Sequence, residues 1–382
     1  MTTVAHAYPW DIVGDPAAAA RIAGLGVDAV ALAAAYHTVR AATPRHPVHR
    51  IVDARHAALY LPVREEAWHG KRLVPAEPSW MDGPDSFGTA SRSLRDAGLP
   101  VYAWTVLTHS SRLGDAHPEL TVHNAFGDRY PYALCPVNED VVEYCQTLVD
   151  EIVCAGNPDG VVLEACGPLG LVHGGHHEKT EGADWGEVHR RLLSLCFCAG
   201  CRIAYHDAGI DATDLGHRIR AAVDGEAAPD DMGEALGAEL AAAVLGVRAS
   251  IARELRRRLV GRVRDLVPDA RVVLHASADP WATGPFATVA PDVGAQVDVF
   301  TAMGWSGPGP AEAGIRALRD VAGPDARVAA YLLALPPTPA DGAAVAEEAR
   351  RFAQSGVAEL HIYHAGLASN RRLAAIRAAL VG

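Results

Sequence analysis

The stretch DAGLPVYAW, Asp96 to Trp104, holds two transitions. An amphipathic run stops at Gly98, and after Leu99 and Pro100 an uninterrupted apolar run begins. Glycine ends helices because it takes the left-handed conformation without a Cβ clash. An apolar run that does not alternate suits a parallel strand buried on both faces. The same grammar returns in GLGVDAV (Gly24 to Val30) and QSGVAELHIY (Gln354 to Tyr363). Extended along the chain, it predicts strands over Thr3–Tyr8, Val27–Ala34, Pro100–Thr108, Gly160–Glu164, Arg271–Ala276, Val297–Ala302, Arg327–Leu335 and Glu359–His364. Helical patterns lie between them, at Asp15–Gly24, Ser86–Gly98, Glu139–Ala155, Ala311–Val321, Pro339–Ser355 and Ser369–Val381.

Eight strand-then-helix units in 382 residues read as an α/β fold, a (β/α)8 TIM barrel. An open doubly wound sheet shares the local grammar. However, no G-x-G-x-x-G follows the first strand, and there is no P-loop. Residues 1–382 are therefore expected to form one barrel domain with two insertions. One spans 38–85, after the second strand, and contains HRIVDARHAALYLPV, which reads as a hairpin. The other spans 184–269, after the fourth strand, and is helical, with one long helix from about Met232 to Leu266. Both leave from the strand ends where barrel active sites are built.

The net charge of −12 and the lack of a Lys/Arg stripe argue against a nucleic-acid partner. Without a basic, apolar leader or an eighteen-residue apolar run, neither secretion nor a membrane span is expected, which points to the cytoplasm. The sequence leaves a homo-oligomer open.

Polar groups just past each strand are the site candidates. The expected substrate-binding set is Trp10, His37, Trp104, His109, Arg129, His176, His177, Trp305, Tyr363 and His364. Aromatic platforms with converging donors hold sugar rings, so a small-molecule or oligosaccharide substrate is expected. Glu164 closes the apolar run of PDGVVLEACG. A carboxyl there, shielded by aromatics, can reach the raised pKa of a general acid. The blander reading pairs it with Arg129 or Lys179. His173, His176, His177 and Glu178 form an H-x-x-H-H run suited to a divalent ion, but its glycines favour a substrate-gripping loop.

SLCFCAGCR, Ser194 to Arg202, places Cys196, Cys198 and Cys201 in a C-x-C-x2-C spacing. Positions i, i+2 and i+5 do not share a helical face, which favours a turn wrapped around an ion, structural zinc first. In a reducing compartment, metal ligation is also favoured over disulfides. A fourth ligand would come from Cys135, Cys145, Cys154 or Cys166; Cys145 and Cys154 fall inside a helical pattern, and Cys135 falls on a loop.

The order Y-x-x-C-P-x-N-x-x-V (Tyr132 to Val141), strand, glutamate, then C-F-C-x-x-C-R (Cys196 to Arg202) resembles the β-galactosidases of glycoside hydrolase family 42. The resemblance covers Tyr130 to Arg202. It implies zinc held by Cys135, Cys196, Cys198 and Cys201, and Glu164 as acid/base. The seventh strand ends without the glutamate that serves as nucleophile in that family. A glycosidase needs a second carboxylate. Asp279 is the first choice, ahead of Glu178 and Asp11. The expected function is therefore a glycoside hydrolase-like enzyme. The alternatives are a metal-dependent sugar isomerase or epimerase, and a sugar-binding barrel without chemistry.

Overall fold

The computed structural model describes residues 1–172, 179–225, 227–289 and 297–381. His176 and His177, and the rest of the histidine-rich run, lie outside the described residues. Eight parallel strands close on themselves: β1 Thr2–Ala7, β2 Ala29–Tyr36, β3 Val101–Val106, β4 Gly160–Glu164, β5 Arg271–Ser277, β6 Val299–Ala302, β7 Val328–Leu333 and β8 Glu359–Tyr363. Closure is made by β1, which pairs with β8 on one side (Val4 beside His361) and β2 on the other (His6 beside Ala31). The fold is the expected (β/α)8 barrel, and each strand falls within two residues of its expected bounds.

Register decides which side chains share the lumen, because residues side by side in parallel strands point the same way. His6 neighbours Ala31, and Trp104 neighbours Ala33. His275 neighbours Thr301, and Tyr331 neighbours His361. Most barrel interiors are filled by branched aliphatics. Here the large lumen residues are polar, and the alanines of β2 leave them room. Gly160 serves the same end at the bottom of the barrel. A Cβ there would come within 2.7 Å of the Arg271 carbonyl and 3.0 Å of the Tyr102 ring.

Gly304, just past β6, lies against β7. An added Cβ would sit 2.0 Å from the Tyr331 carbonyl oxygen. Neither backbone can yield cheaply, so Gly304→Ala is expected to cost roughly 1–3 kcal/mol, the usual range for overpacking. Chemical denaturation checks this, and an unchanged midpoint would contradict it.

In the first insertion Val39–Ala42 pairs antiparallel with Ile51–Ala54. Only the second arm comes from the HRIVDARHAALYLPV run. The later part of that run, Ala58–Leu59, pairs instead with the end of β2. The expected long helix is two helices, Met232–Leu236 and Ala238–Leu266. Gly237 separates them at a φ of +88°, a conformation open to glycine and closed to most residues. Among the described residues no helix is long and apolar enough to cross a membrane.

Candidate functional site

Glu164 ends β4 with its side chain at the mouth of the lumen, 7% exposed. The indole Nε1 of Trp104, on the neighbouring strand, donates to its Oε2 at 2.7 Å. His275 Nδ1, from β5, stands 3.4 Å from the same oxygen. The pairing with Arg129 or Lys179 considered from the sequence is not what holds Glu164. Arg129 is tied to the Gly114 carbonyl at 2.8 Å and to Asp115 at 3.0 Å. Burial pushes the Glu164 carboxyl up to about 7, against the smaller opposing effect of the Trp104 hydrogen bond. The same burial keeps His275 well below its ordinary value, so it is a neutral imidazole.

Aromatic rings from five strands surround this carboxyl. Tyr36 meets Trp104 edge-on at 4.6 Å. Tyr8 stacks on His364 at 4.2 Å and on Trp104 at 5.8 Å. Trp305 and Tyr363 lie 5.0 Å apart, and Trp305 is 39% exposed at the rim. Of the expected binding residues, Trp104, Trp305, Tyr363 and His364 thus gather with Glu164. His37 and His109 stack on one another at 4.3 Å, joined to the group through Tyr36. Trp10 is fully buried behind Tyr8.

Of the three carboxylates weighed as partners for Glu164, Glu178 lies outside the described residues, and Asp279 and Asp11 differ in setting. Asp279 is ion-paired with Arg191 at 3.0 Å and accepts from the Trp281 backbone. It lines a cavity of about 510 Å³ with Arg191, Trp281 and Phe286, and Phe286 stacks on His275 at 4.9 Å. Asp11 is buried beneath the mouth, accepts from the Tyr8 backbone at 2.8 Å and lies 3.9 Å from His364. Burial pushes its carboxyl up to about 7.

A second constellation is built on the insertion. Cys196 and Cys198 precede the helix Ala199–Asp207, and Cys201 lies in its first turn. Cys135 comes from the loop before the helix Glu139–Gly156. The four sulfurs lie within 4.8 Å of one another, all buried, with Cys135 and Cys201 3.6 Å apart. Such a group can hold a metal ion. Without one, thiols so close must share protons. Hydrogen bonds from its three neighbours push Cys198 below the ordinary thiol range, and the same crowding pushes Cys135 up.

Sequence reasoning missed His361 and Glu359. Both are buried in β8 and point into the lumen. The signal was present in ELHIY, where Glu359, His361 and Tyr363 recur every second residue and so share one face.

No protein-family model matches the chain, and no curated protein matches it. Solved structures do. The chain is similar to α-L-fucosidase isoenzyme 2 from Paenibacillus thiaminolyticus, with a TM-score of 0.60 at 11% identity, covering 100% of this chain and 49% of that one. It is similar to a β-galactosidase from the psychrophilic Marinomonas ef1, with a TM-score of 0.59 at 14% identity, covering 100% and 59%. A third is Gan42B, a GH42 β-galactosidase from G. stearothermophilus, with a TM-score of 0.55 at 10% identity, covering 100% and 56%. These neighbours share the (β/α)8 barrel fold of this chain. The chain spans 49% to 59% of the length of these neighbours.

Proposed function

We propose that this protein is a glycoside hydrolase acting on a small or oligomeric carbohydrate, with Glu164 as general acid/base. The observation that carries the reading is the setting of Glu164. Its carboxyl stands at the C-terminal end of β4, buried, with no Lys or Arg paired to it among the described residues, and is pushed up to about 7. A carboxyl of that kind is half protonated near neutrality and can give its proton to a leaving oxygen. The aromatic rims of Trp104, Trp305 and Tyr363 supply the apolar faces on which a sugar ring stacks. His364 Nε2 is buried there without a hydrogen-bond partner, as a group waiting for a ligand hydroxyl would be.

The second carboxylate is assigned to Asp11 or Asp279. Asp11 has the closer tie to the aromatic group through Tyr8 and His364; Asp279 would first have to leave Arg191. Asp11→Asn and Asp279→Asn, assayed side by side, separate them. The β-galactosidase neighbours suggest galactosides as the first substrates to screen. Glu164→Gln is expected to lower turnover of any aryl glycoside the parent cleaves by about 10²–10⁴, the usual worth of a general acid. Unaltered turnover in that variant would remove Glu164 from the chemistry.

The resemblance at Tyr130–Arg202 extends the reading to zinc, held by Cys135, Cys196, Cys198 and Cys201. Four buried sulfurs at this spacing suit a closed tetrahedral site, which has no open position for substrate. The ion would hold the insertion against the loop at Cys135. Among the described residues this cluster is the group whose ligand atoms converge on a metal-sized space. The lumen histidines are instead bonded to each other and to Tyr331, which favours carboxylate chemistry over a metal-dependent isomerase.

A further inference from the structure

A line of polar groups runs down the lumen from Glu164 to the opposite end of the barrel, hydrogen-bonded from His275 to His361 and in electrostatic contact at its two ends. His275 Nδ1 faces Glu164 Oε2 at 3.4 Å without a hydrogen bond between them. His275 Nε2 and the Tyr331 hydroxyl are 2.9 Å apart, and the same hydroxyl is 3.2 Å from His6 Nδ1. His6 Nε2 is 3.1 Å from His361 Nδ1. His361 Nε2 in turn faces Glu359 Oε2 at 3.8 Å, too long for a hydrogen bond, and neither atom has a hydrogen-bond partner among the described residues. Glu359 is fully buried and ion-paired with Arg271 and, at 3.2 Å, with Arg327. Five strands contribute, and nothing in the proposed acid/base chemistry requires the lower half of this line.

Each neutral imidazole carries one N–H and one bare nitrogen, and a phenol has one O–H. A line of such groups can point its donors in one direction or the other, but not both. Burial keeps His6, His275 and His361 below their ordinary range, so all three rings are neutral. The lower end decides the direction. Between two guanidinium groups Glu359 is a carboxylate, which only accepts. At 3.8 Å the Glu359 carboxylate accepts no hydrogen bond from His361, but its charge favours the hydrogen on Nε2, and the bare Nδ1 then accepts from His6 Nε2. The Tyr331 hydroxyl then donates to His6 Nδ1 and accepts from His275 Nε2. That leaves His275 Nδ1 bare, facing Glu164.

We propose that the arginine-clamped Glu359 fixes the tautomers of His361, His6 and His275, and so holds Glu164 at the far end as a protonated donor. Glu359 and the groups between are positioning residues. They touch no substrate; they set the state of the acid that does. Among the described residues the other groups facing Glu164 are the Trp104 N–H and the hydroxyls of Tyr36, Tyr331 and Tyr363, all uncharged, so none of them opposes this arrangement electrostatically. The proposal deepens the reading of Glu164 as the acid and rests on it for its purpose, but not for its test.

Histidine-selective ¹⁵N NMR on the full chain, at about pH 6 and so below the Glu164 value, reads the tautomers directly. All three rings are expected to be protonated at Nε2 and bare at Nδ1. A hydrogen on Nδ1 of His275 or His6 overturns the proposal. Glu359→Gln supplies the converse. The Gln oxygen is expected to stay with the arginines and its NH₂ to donate to His361, reversing all three rings to Nδ1–H. Rings that keep Nε2–H in that variant would show that Glu359 does not set them. Tyr331→Phe cuts the line at its middle without changing ring packing. The Glu164 carboxyl, followed by ¹³C NMR, is then expected to titrate lower by about one pH unit; an unmoved titration overturns the coupling. If the tautomers are as expected but Glu164→Gln retains full activity, the hydrolase reading falls and the polar line stands.

Discussion

At about pH 8 the Glu164→Gln protein is expected to melt at a higher temperature than the parent, while at about pH 4 the two coincide. The sign follows from proton linkage. The Glu164 carboxyl titrates near 4.5 in an unfolded chain and is raised to about 7 in the fold. Below the lower value both states carry the proton, and the full contribution to stability is present. Between the two values the folded chain keeps a proton that the unfolded chain has released, so stability falls as pH rises. Above the folded value the fold holds a buried carboxylate, a penalty of about 3 kcal/mol at most. Glutamine is neutral throughout and escapes that penalty. Asp11→Asn should behave alike, since burial raises its carboxyl from 3.8 to about 7. Melting curves of parent and variants at about pH 4, 6 and 8 check this. A difference in melting temperature that does not change with pH would contradict it. The same substitution that removes activity would then stabilise the protein, as expected where a site is kept against the preference of the fold.

The barrel was legible because its signal is local and repeated. A strand buried on both faces needs an unbroken apolar run, and a helix returning to it needs a stop. DAGLPVYAW and QSGVAELHIY show both without any knowledge of distant contacts. Glu164 was legible for the same reason, as a charged residue closing such a run. What the lumen contains was less so. His6 and Tyr331 are 325 positions apart in sequence, and only barrel closure brings the hydroxyl to 3.2 Å from the ring. Histidines at strand ends read naturally as groups reaching for substrate, whereas His6, His275 and His361 turn inward to one another. Period-two spacing in ELHIY carried part of this. It places Glu359 and His361 on one face, but cannot say that the face is a lumen with Arg271 across it. Gly237 shows a similar limit. One glycine in a long amphipathic run is tolerated at a cost of about 1 kcal/mol, so the break it makes was not readable from pattern alone.

The largest loss of stability is expected from removing a ligand of the cysteine cluster. Purified protein should contain one zinc per chain by elemental analysis, and Cys198→Ser should abolish it. A serine hydroxyl does not ionise at neutral pH and is a poor replacement for a thiolate. The expected cost is several kcal/mol. Structural zinc contributes roughly 10–16 kcal/mol of binding in small zinc domains, where the ion organises the whole chain. Here the surrounding barrel already holds both segments near each other. Phe197 N donates to the His123 carbonyl at 2.7 Å, and Cys135 N donates to the Leu120 carbonyl at 2.8 Å, so part of the clip survives. What is lost is the reason four thiols can sit together. With the ion they are thiolates around a dication. Without it they are crowded groups that push one another's protonation apart. Amide exchange should therefore accelerate first around Cys196–Cys201 and the Cys135 loop, and later in β4 between them. Because the site is closed, brief chelation that leaves the fold intact should spare turnover. A protein that is purified free of metal, and whose Cys198→Ser variant melts with the parent, would show that the cluster is packing and nothing more.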